Sequence, residues 1–223
     1  MAGDLDLTEV RVHLYRRLAD DAHAITAVEL ARHFEAAPDE AVAALRALHD
    51  AHLVVLDEAR ERIVMAHPWA TAPMGFVVAS AQQKWWGGCA WDSFAIPALV
   101  GATCLVATHC PGCGTPIALD VAPDEPPAGD QVAHLLVPVP RIWDDVVFTC
   151  SNQLLFCDDS HVDRWLRRTQ RPRGAVLDLP TLWRLATGWY AGRLTPGYRR
   201  RNPEEAAAFF TTVGLTGDFW RTA

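Results

Sequence analysis

Residues 85–101 read WWGGCAWDSFAIPALVG, two glycines followed by a run of helix-favouring and apolar residues. The pattern predicts a helix that begins near Cys89 and carries Cys89 and Asp92 on one face of its first turn. Backbone N–H groups at a helix N-terminus favour anions, so a thiolate forms more easily there. A neighbouring carboxylate opposes this effect unless it takes the thiol proton itself. The alternative interpretation is a buried structural cysteine followed by an ordinary acidic residue of a first turn.

The composition indicates a globular chain that is acidic overall. Its 223 residues are 50% hydrophobic, and the formal net charge is −7. This charge argues against a phosphate-binding surface as the main function, so no nucleic-acid partner is expected. No signal peptide and no apolar run of about 18 residues is visible, so we expect no membrane association and a cytoplasmic location.

The chain contains six cysteines, which the expected reducing compartment would keep as thiols. They are therefore better interpreted as reactive groups, metal ligands or core residues than as a disulfide framework. Their positions are Cys89, Cys104, Cys110, Cys113, Cys150 and Cys157.

The first third of the chain predicts three helices and a hairpin. Apolar residues recur at helical spacing over residues 7–20, after Thr26 and again after Pro38. Residues 53–56 and 62–65 then form two short apolar runs separated by a polar turn. This order predicts a winged-helix-like N-terminal domain over residues 1–67.

The third predicted helix carries more acidic than basic residues, which disfavours DNA binding. Asp39, Glu40 and Asp50 accompany the single basic residue Arg46. We therefore expect this domain to act as a scaffold.

A change of composition at residues 67–73, where two prolines occur, predicts a linker. The second domain is expected over residues 74–223. Its apolar, partly β-branched runs predict a mostly antiparallel sheet with flanking helices, so the predicted fold class is α+β. The predicted strands are residues 76–79, 103–108, 117–121, 132–137 and 174–177; the predicted helices begin near Cys89, Asp159 and Pro180.

Cys110-Pro111-Gly112-Cys113 has the spacing of a zinc knuckle. A knuckle supplies half of a tetrahedral site, and no second knuckle is visible, since Cys150 and Cys157 are seven residues apart. A thioredoxin-like motif is disfavoured because Gly114-Thr115-Pro116 follows where a helix is needed. The remaining interpretation is a tight turn between two strands.

Cys150 follows a short apolar run and is ambiguous by itself. Cys89, Cys150 and Asp92 together provide two thiols and one carboxylate. Two sulfur ligands suit a soft metal, and a nearby acid can handle a proton.

The chain resembles the alkylmercury lyase family. The resemblance is carried by residues 89–92 (CAWD) with 94–101 (FAIPALVG), by 108–110 (THC) leading to 114–117 (GTPI), and by 148–150 (FTC). It implies that Cys89 and Cys150 are mercury-binding thiols and that Asp92 is the proton-handling acid. Cys110 matches a cysteine thought to be structural in the family, whereas Cys113 and Cys157 lie outside the pattern.

The resemblance implies an enzyme that cleaves carbon–mercury bonds and releases a hydrocarbon and Hg(II). The substrate is an organomercurial, no cofactor is expected, and mercuric reductase or small thiols would accept Hg(II). Two alternatives stay open: a diverged relative acting on another carbon–heteroatom bond, and a thiol-based metal-sensing transcriptional regulator.

Overall fold

The chain builds an α+β fold from two antiparallel sheets and helices packed around them. The computed structural model describes residues 5–222. In that range the α-helices are α1 (Leu7–Asp21), α2 (Ala27–His33), α3 (Pro38–Asp50), α4 (Ala90–Val100), α5 (Val146–Ser151), α6 (Asp159–Thr169), α7 (Leu179–Tyr190) and α8 (Pro203–Val213). The strands there are β1 (Val55–Leu56), β2 (Ile63–Ala66), β3 (Trp69–Ala70), β4 (Phe76–Ala79), β5 (Lys84–Gly87), β6 (Cys104–His109), β7 (Pro116–Val121), β8 (Val132–Leu135), β9 (Gln153–Phe156) and β10 (Ala175–Asp178).

The larger sheet has seven strands in the order β1-β2-β3-β5-β4-β6-β7. The smaller sheet has three strands in the order β10-β8-β9. All pairings are antiparallel, so the predicted α+β class with a mostly antiparallel sheet is confirmed. Among residues 5–222, no helix is long and apolar enough to cross a membrane.

The three N-terminal helices begin where their capping residues predict. The Asp6 carboxylate accepts hydrogen bonds from the first turn of α1, and Thr26 and Glu29 form a capping box at α2. Helix α3 has proline at its first position. The predicted hairpin follows, with Leu56 paired to Ile63.

The segment at residues 67–73, predicted to be a linker, is part of the larger sheet. It contains β3, whose Trp69 pairs with Ala66 of β2 on one side and with Gly87 of β5 on the other. Trp69 is buried, and its indole packs edge-on against the ring of Tyr15 in α1. Strand pairing therefore continues across the predicted domain boundary, and the division into domains 1–67 and 74–223 stays a prediction.

Helix α4 is buried along most of its length, which explains its nearly unbroken apolar sequence. Cys89 caps its N-terminus, and Gly101 ends it in the left-handed conformation, with φ of 67°. Gly88 permits a close approach at the entrance, since a Cβ there would lie 2.3 Å from Oδ2 of Asp92. The helix packs against α7 and against strands of the larger sheet.

Among the helices and strands given above, five have no counterpart in the sequence predictions: β3, β5, α5, β9 and α8. Helix α5 and β9 are six and four residues long, too short for periodicity to be visible in sequence. The connection between α5 and β9 at residue 152 also contains no glycine or proline, the residues that usually indicate the end of a helix or strand.

A buried arginine joins the N-terminal helices to the C-terminal third of the chain. Arg11 of α1 is 2% exposed, and its guanidinium donates hydrogen bonds to the carbonyl oxygens of Arg193 (2.7 Å) and Thr195 (2.6 Å). The segment that follows α7 is thereby fixed against α1.

We expect Arg11→Met to lower the free energy of unfolding by about 1–3 kcal/mol, because one buried and one partly buried carbonyl group lose their donor. Urea unfolding measures the change. The matched control is Arg17→Met, which removes an exposed pair with Asp21 on the same helix and should cost less than about 0.5 kcal/mol. Equal effects of the two substitutions would contradict a clamping role for Arg11.

Candidate active site

Four separate parts of the chain meet around one cavity of about 360 Å³. His67 lies between β2 and β3, Cys89 and Asp92 at the start of α4, Cys150 near the end of α5, and Tyr190 at the end of α7. Each side chain is 6% exposed or less. The cavity therefore presents its reactive groups in a low-dielectric surrounding.

The Cys89 sulfur lies at the N-terminus of α4 and accepts a hydrogen bond from the backbone N–H of Asp92 (3.4 Å). Its thiol donates to Oε1 of Gln153, the first residue of β9 (3.0 Å). Burial raises the pKa of Cys89 well above its usual value, and the neighbouring Cys150 sulfur and the charge of Asp92 raise it further. Cys89 is therefore a protonated thiol at neutral pH.

The surroundings of Cys150 shift the pKa of its thiol in the opposite direction. Its pKa is lowered, first by the neighbouring Cys89 thiol and also by His67, against the effects of burial and of Asp92. Its sulfur lies 3.4 Å from Nε2 of His67 and 3.8 Å from Oδ2 of Asp92. Cys150 is accordingly the thiol that ionises first.

His67 is fully buried, and burial by itself would lower its pKa. The negative charges of Asp92 and Cys150 outweigh that effect, so the pKa of His67 is raised. Ligand atoms of these three residues lie within 4.8 Å of one another. The arrangement favours an imidazolium paired with the Cys150 thiolate.

The two carboxylate oxygens of Asp92 have different surroundings. Oδ1 accepts a hydrogen bond from the Tyr190 hydroxyl, whereas Oδ2 faces the Cys150 sulfur. Burial and the neighbouring Asp92 charge raise the pKa of Tyr190 well above its usual value, so the hydroxyl keeps its proton and remains a donor. Tyr190 thus orients the carboxylate and leaves Oδ2 available to exchange a proton.

The structure brings together the three predicted site residues, Cys89, Asp92 and Cys150, although 58 positions separate the last two. Sequence analysis missed His67, Gln153 and Tyr190. His67 was assigned to a linker, and no local pattern distinguishes the other two from core residues.

Tryptophan side chains from separate parts of the chain form one wall of the cavity. Trp91 lines the cavity, but the Trp85 indole donates to the Leu18 carbonyl (2.8 Å) and Trp86 is 39% exposed. Trp143 and Trp189 complete the aromatic wall instead.

A model of the alkylmercury lyase family matches residues 69–191, which include Cys89, Asp92, Cys150 and Tyr190. The chain belongs to this family. The predicted function, an organomercurial lyase, is confirmed by this membership. A comparison with curated proteins gave no match.

Among solved structures, the chain is similar to the mercury-bound form of MerB2. The TM-score is 0.66 at 17% identity, and the match covers 85% of this chain and 91% of that one. At this identity the comparison supports a shared fold.

We expect His67→Gln to raise the pKa of Cys150, because the substitution removes the positive charge next to the thiolate. The rate of Cys150 alkylation by iodoacetamide, followed by mass spectrometry across a pH series, gives this pKa. Its midpoint should shift to higher pH, and alkylation at neutral pH should slow. His52→Gln is the control, since His52 also lines the cavity but stacks on Trp143. If the midpoint is the same in His67→Gln as in the wild type, the imidazole does not contribute to the pKa of Cys150.

Proposed function

We propose that Cys150, Cys89 and Asp92 carry out protonolysis of the carbon–mercury bond in that order of engagement. The observation that supports this proposal is that the two thiols of one cavity have different surroundings. The Cys150 sulfur lies 3.4 Å from Nε2 of His67, whereas the Cys89 thiol donates to Oε1 of Gln153. Cys150 has a lowered pKa and Cys89 a raised one. One sulfur is therefore ready to bind a cation, while the other still holds the proton that the reaction consumes.

In the first step the Cys150 thiolate displaces the exchangeable ligand of R–Hg–X and forms R–Hg–S. A thiolate is the soft donor that mercury prefers, and His67 stabilises it until the metal arrives. The aromatic residues Trp91, Trp143 and Trp189 surround the space left for the organic group R.

In the second step the Cys89 sulfur binds the same mercury atom and gives up its proton to Asp92. The additional sulfur ligand increases electron density on the carbon bound to mercury. Oδ2 of Asp92 then donates the proton to that carbon as the carbon–mercury bond breaks. The products are R–H and a mercury ion held by both sulfurs, so the thiol proton is the one that appears in the hydrocarbon.

The proposal predicts that Cys89→Ser and Cys150→Ser each abolish turnover of phenylmercury, because a hydroxyl is a poor ligand for mercury and ionises poorly. Benzene formation is measured by gas chromatography. Cys104→Ser is the control, since Cys104 is a buried thiol whose sulfur contacts the Ala102 carbonyl. Benzene production by Cys150→Ser at the wild-type rate would exclude that residue from the mechanism.

Asp92→Asn preserves the size of the side chain and removes the group that carries the proton. We expect this variant to bind phenylmercury through two sulfurs but to form benzene at least about a hundredfold more slowly, the effect of losing a positioned general acid. Single-turnover measurements separate binding from bond cleavage. Unchanged benzene formation would mean that the proton comes from another source.

The fate of the product belongs to the same proposal. Hg(II) bound by two buried sulfurs leaves by thiol exchange, and we propose small thiols or mercuric reductase as the acceptor. Such thiols remain reduced in the cytoplasm, the compartment that we propose for the enzyme.

We also propose that residues 1–67 form a winged-helix-like scaffold for the site. The order of α1, α2, α3 and the β1–β2 hairpin supports this assignment. Tyr15 of α1 provides a link to the site, since its hydroxyl accepts a hydrogen bond from the Arg193 guanidinium (2.9 Å) just beyond α7.

A further inference from the structure

A second group of thiols lies outside the cavity, where β6 turns into β7. The half-knuckle at Cys110 and Cys113 occupies this turn. Cys157 follows the last residue of β9, and His161 lies in the first turn of α6. Ligand atoms of Cys110, Cys157 and His161 lie within 4.8 Å of one another, and the sulfurs of Cys113 and Cys157 are 3.8 Å apart.

We propose that Cys110, Cys113, Cys157 and His161 form a structural zinc site. Two thiolates on one tetrahedral zinc ion, with bonds of about 2.3 Å, have their sulfurs about 3.8 Å apart. The Cys113–Cys157 separation matches that value. The second half of the site has the spacing Cys-x3-His, and three cysteines with one histidine are a common ligand set of structural zinc.

Backbone hydrogen bonds close a tight turn at Cys110, as in a metal-binding knuckle. The N–H of Gly114 donates to the Cys110 carbonyl (2.7 Å), and the N–H of Cys110 donates to the Thr115 carbonyl (2.8 Å). Gly114 has φ of +80°, a conformation that favours glycine. The N–H of Cys157 points to the Cys110 sulfur (3.5 Å), a hydrogen bond that stabilises a thiolate.

The turn is also held close to α6. A Cβ at Gly112 would lie 2.5 Å from the backbone carbonyl oxygen of His161, so only glycine permits this approach. The Arg168 guanidinium donates to the Pro111 carbonyl (2.5 Å). Nδ1 of His161 is buried and lies 3.0 Å from Oδ1 of Asp158.

The proposed zinc would join the two sheets. Cys110 and Cys113 lie in a turn of the larger sheet, whereas Cys157 directly follows a strand of the smaller one. That strand, β9, begins with Gln153, the acceptor for the Cys89 thiol. The zinc would therefore fix the far end of a strand that positions the active-site thiol, without contacting substrate.

The test is the metal content of the full chain, purified with a thiol reductant from cells grown with zinc and then desalted. Mass spectrometry of the elements should find about one zinc ion per chain. The double variant Cys113→Ser/Cys157→Ser should lose it. Cys104→Ser and the double variant Cys89→Ser/Cys150→Ser should keep it, which separates this site from the mercury-binding thiols.

Cobalt exchange of the wild-type protein tests the site without any substitution, in case the double variant does not fold. A single Co(II) ion with intense thiolate charge-transfer absorption and tetrahedral bands is expected. Three results would overturn the proposal: metal-free protein with all six cysteines titratable, a disulfide between Cys113 and Cys157, or zinc that is lost from Cys89→Ser/Cys150→Ser but not from Cys113→Ser/Cys157→Ser.

Discussion

A charged group that is buried away from water is stable only when a neighbouring group interacts with it. The candidate site consists of side chains that stabilise one another in this way. Asp92 is 1% exposed and Cys150 is 5% exposed. An isolated ionised group in such a place would be strongly destabilising. The Tyr190 hydroxyl and the His67 imidazole each stabilise one of these anions. The elements that carry the two partners, α7 and the connection between β2 and β3, are therefore as necessary to the chemistry as α4 itself.

This pairing also explains why two cysteines in one cavity behave differently. Cys89 lies at a helix N-terminus, a position that ordinarily lowers the pKa of a thiol. Its burial and the adjacent acid reverse that expectation by raising the pKa of Cys89, and Cys150 has the lowered pKa instead. In the proposed mechanism the helix end remains useful, because its N–H group at Asp92 points to the Cys89 sulfur, which loses its proton when it binds mercury.

Interactions between residues that are close in the sequence could be predicted, whereas interactions between distant residues could not. The start of α4 and the proximity of Cys89 and Asp92 depend on neighbouring residues, so the pattern was sufficient. Cys150 was found through resemblance, because its contact with Asp92 spans 58 positions. Tyr190 lies 98 positions from Asp92, and no periodicity reports such a contact. The zinc knuckle looked incomplete for the same reason, since Cys157 reaches Cys110 only when the two sheets are in place.

The separation between contacting residues also matters while the chain is being made. Synthesis proceeds at about 5–20 residues per second, and early segments can fold before later ones emerge. Cys89 leaves the ribosome well before Cys150, and the hydroxyl that orients Asp92 is another 40 residues further along. The nascent chain therefore displays the Cys89 thiol before it contains Gln153, the acceptor of that thiol in the folded site.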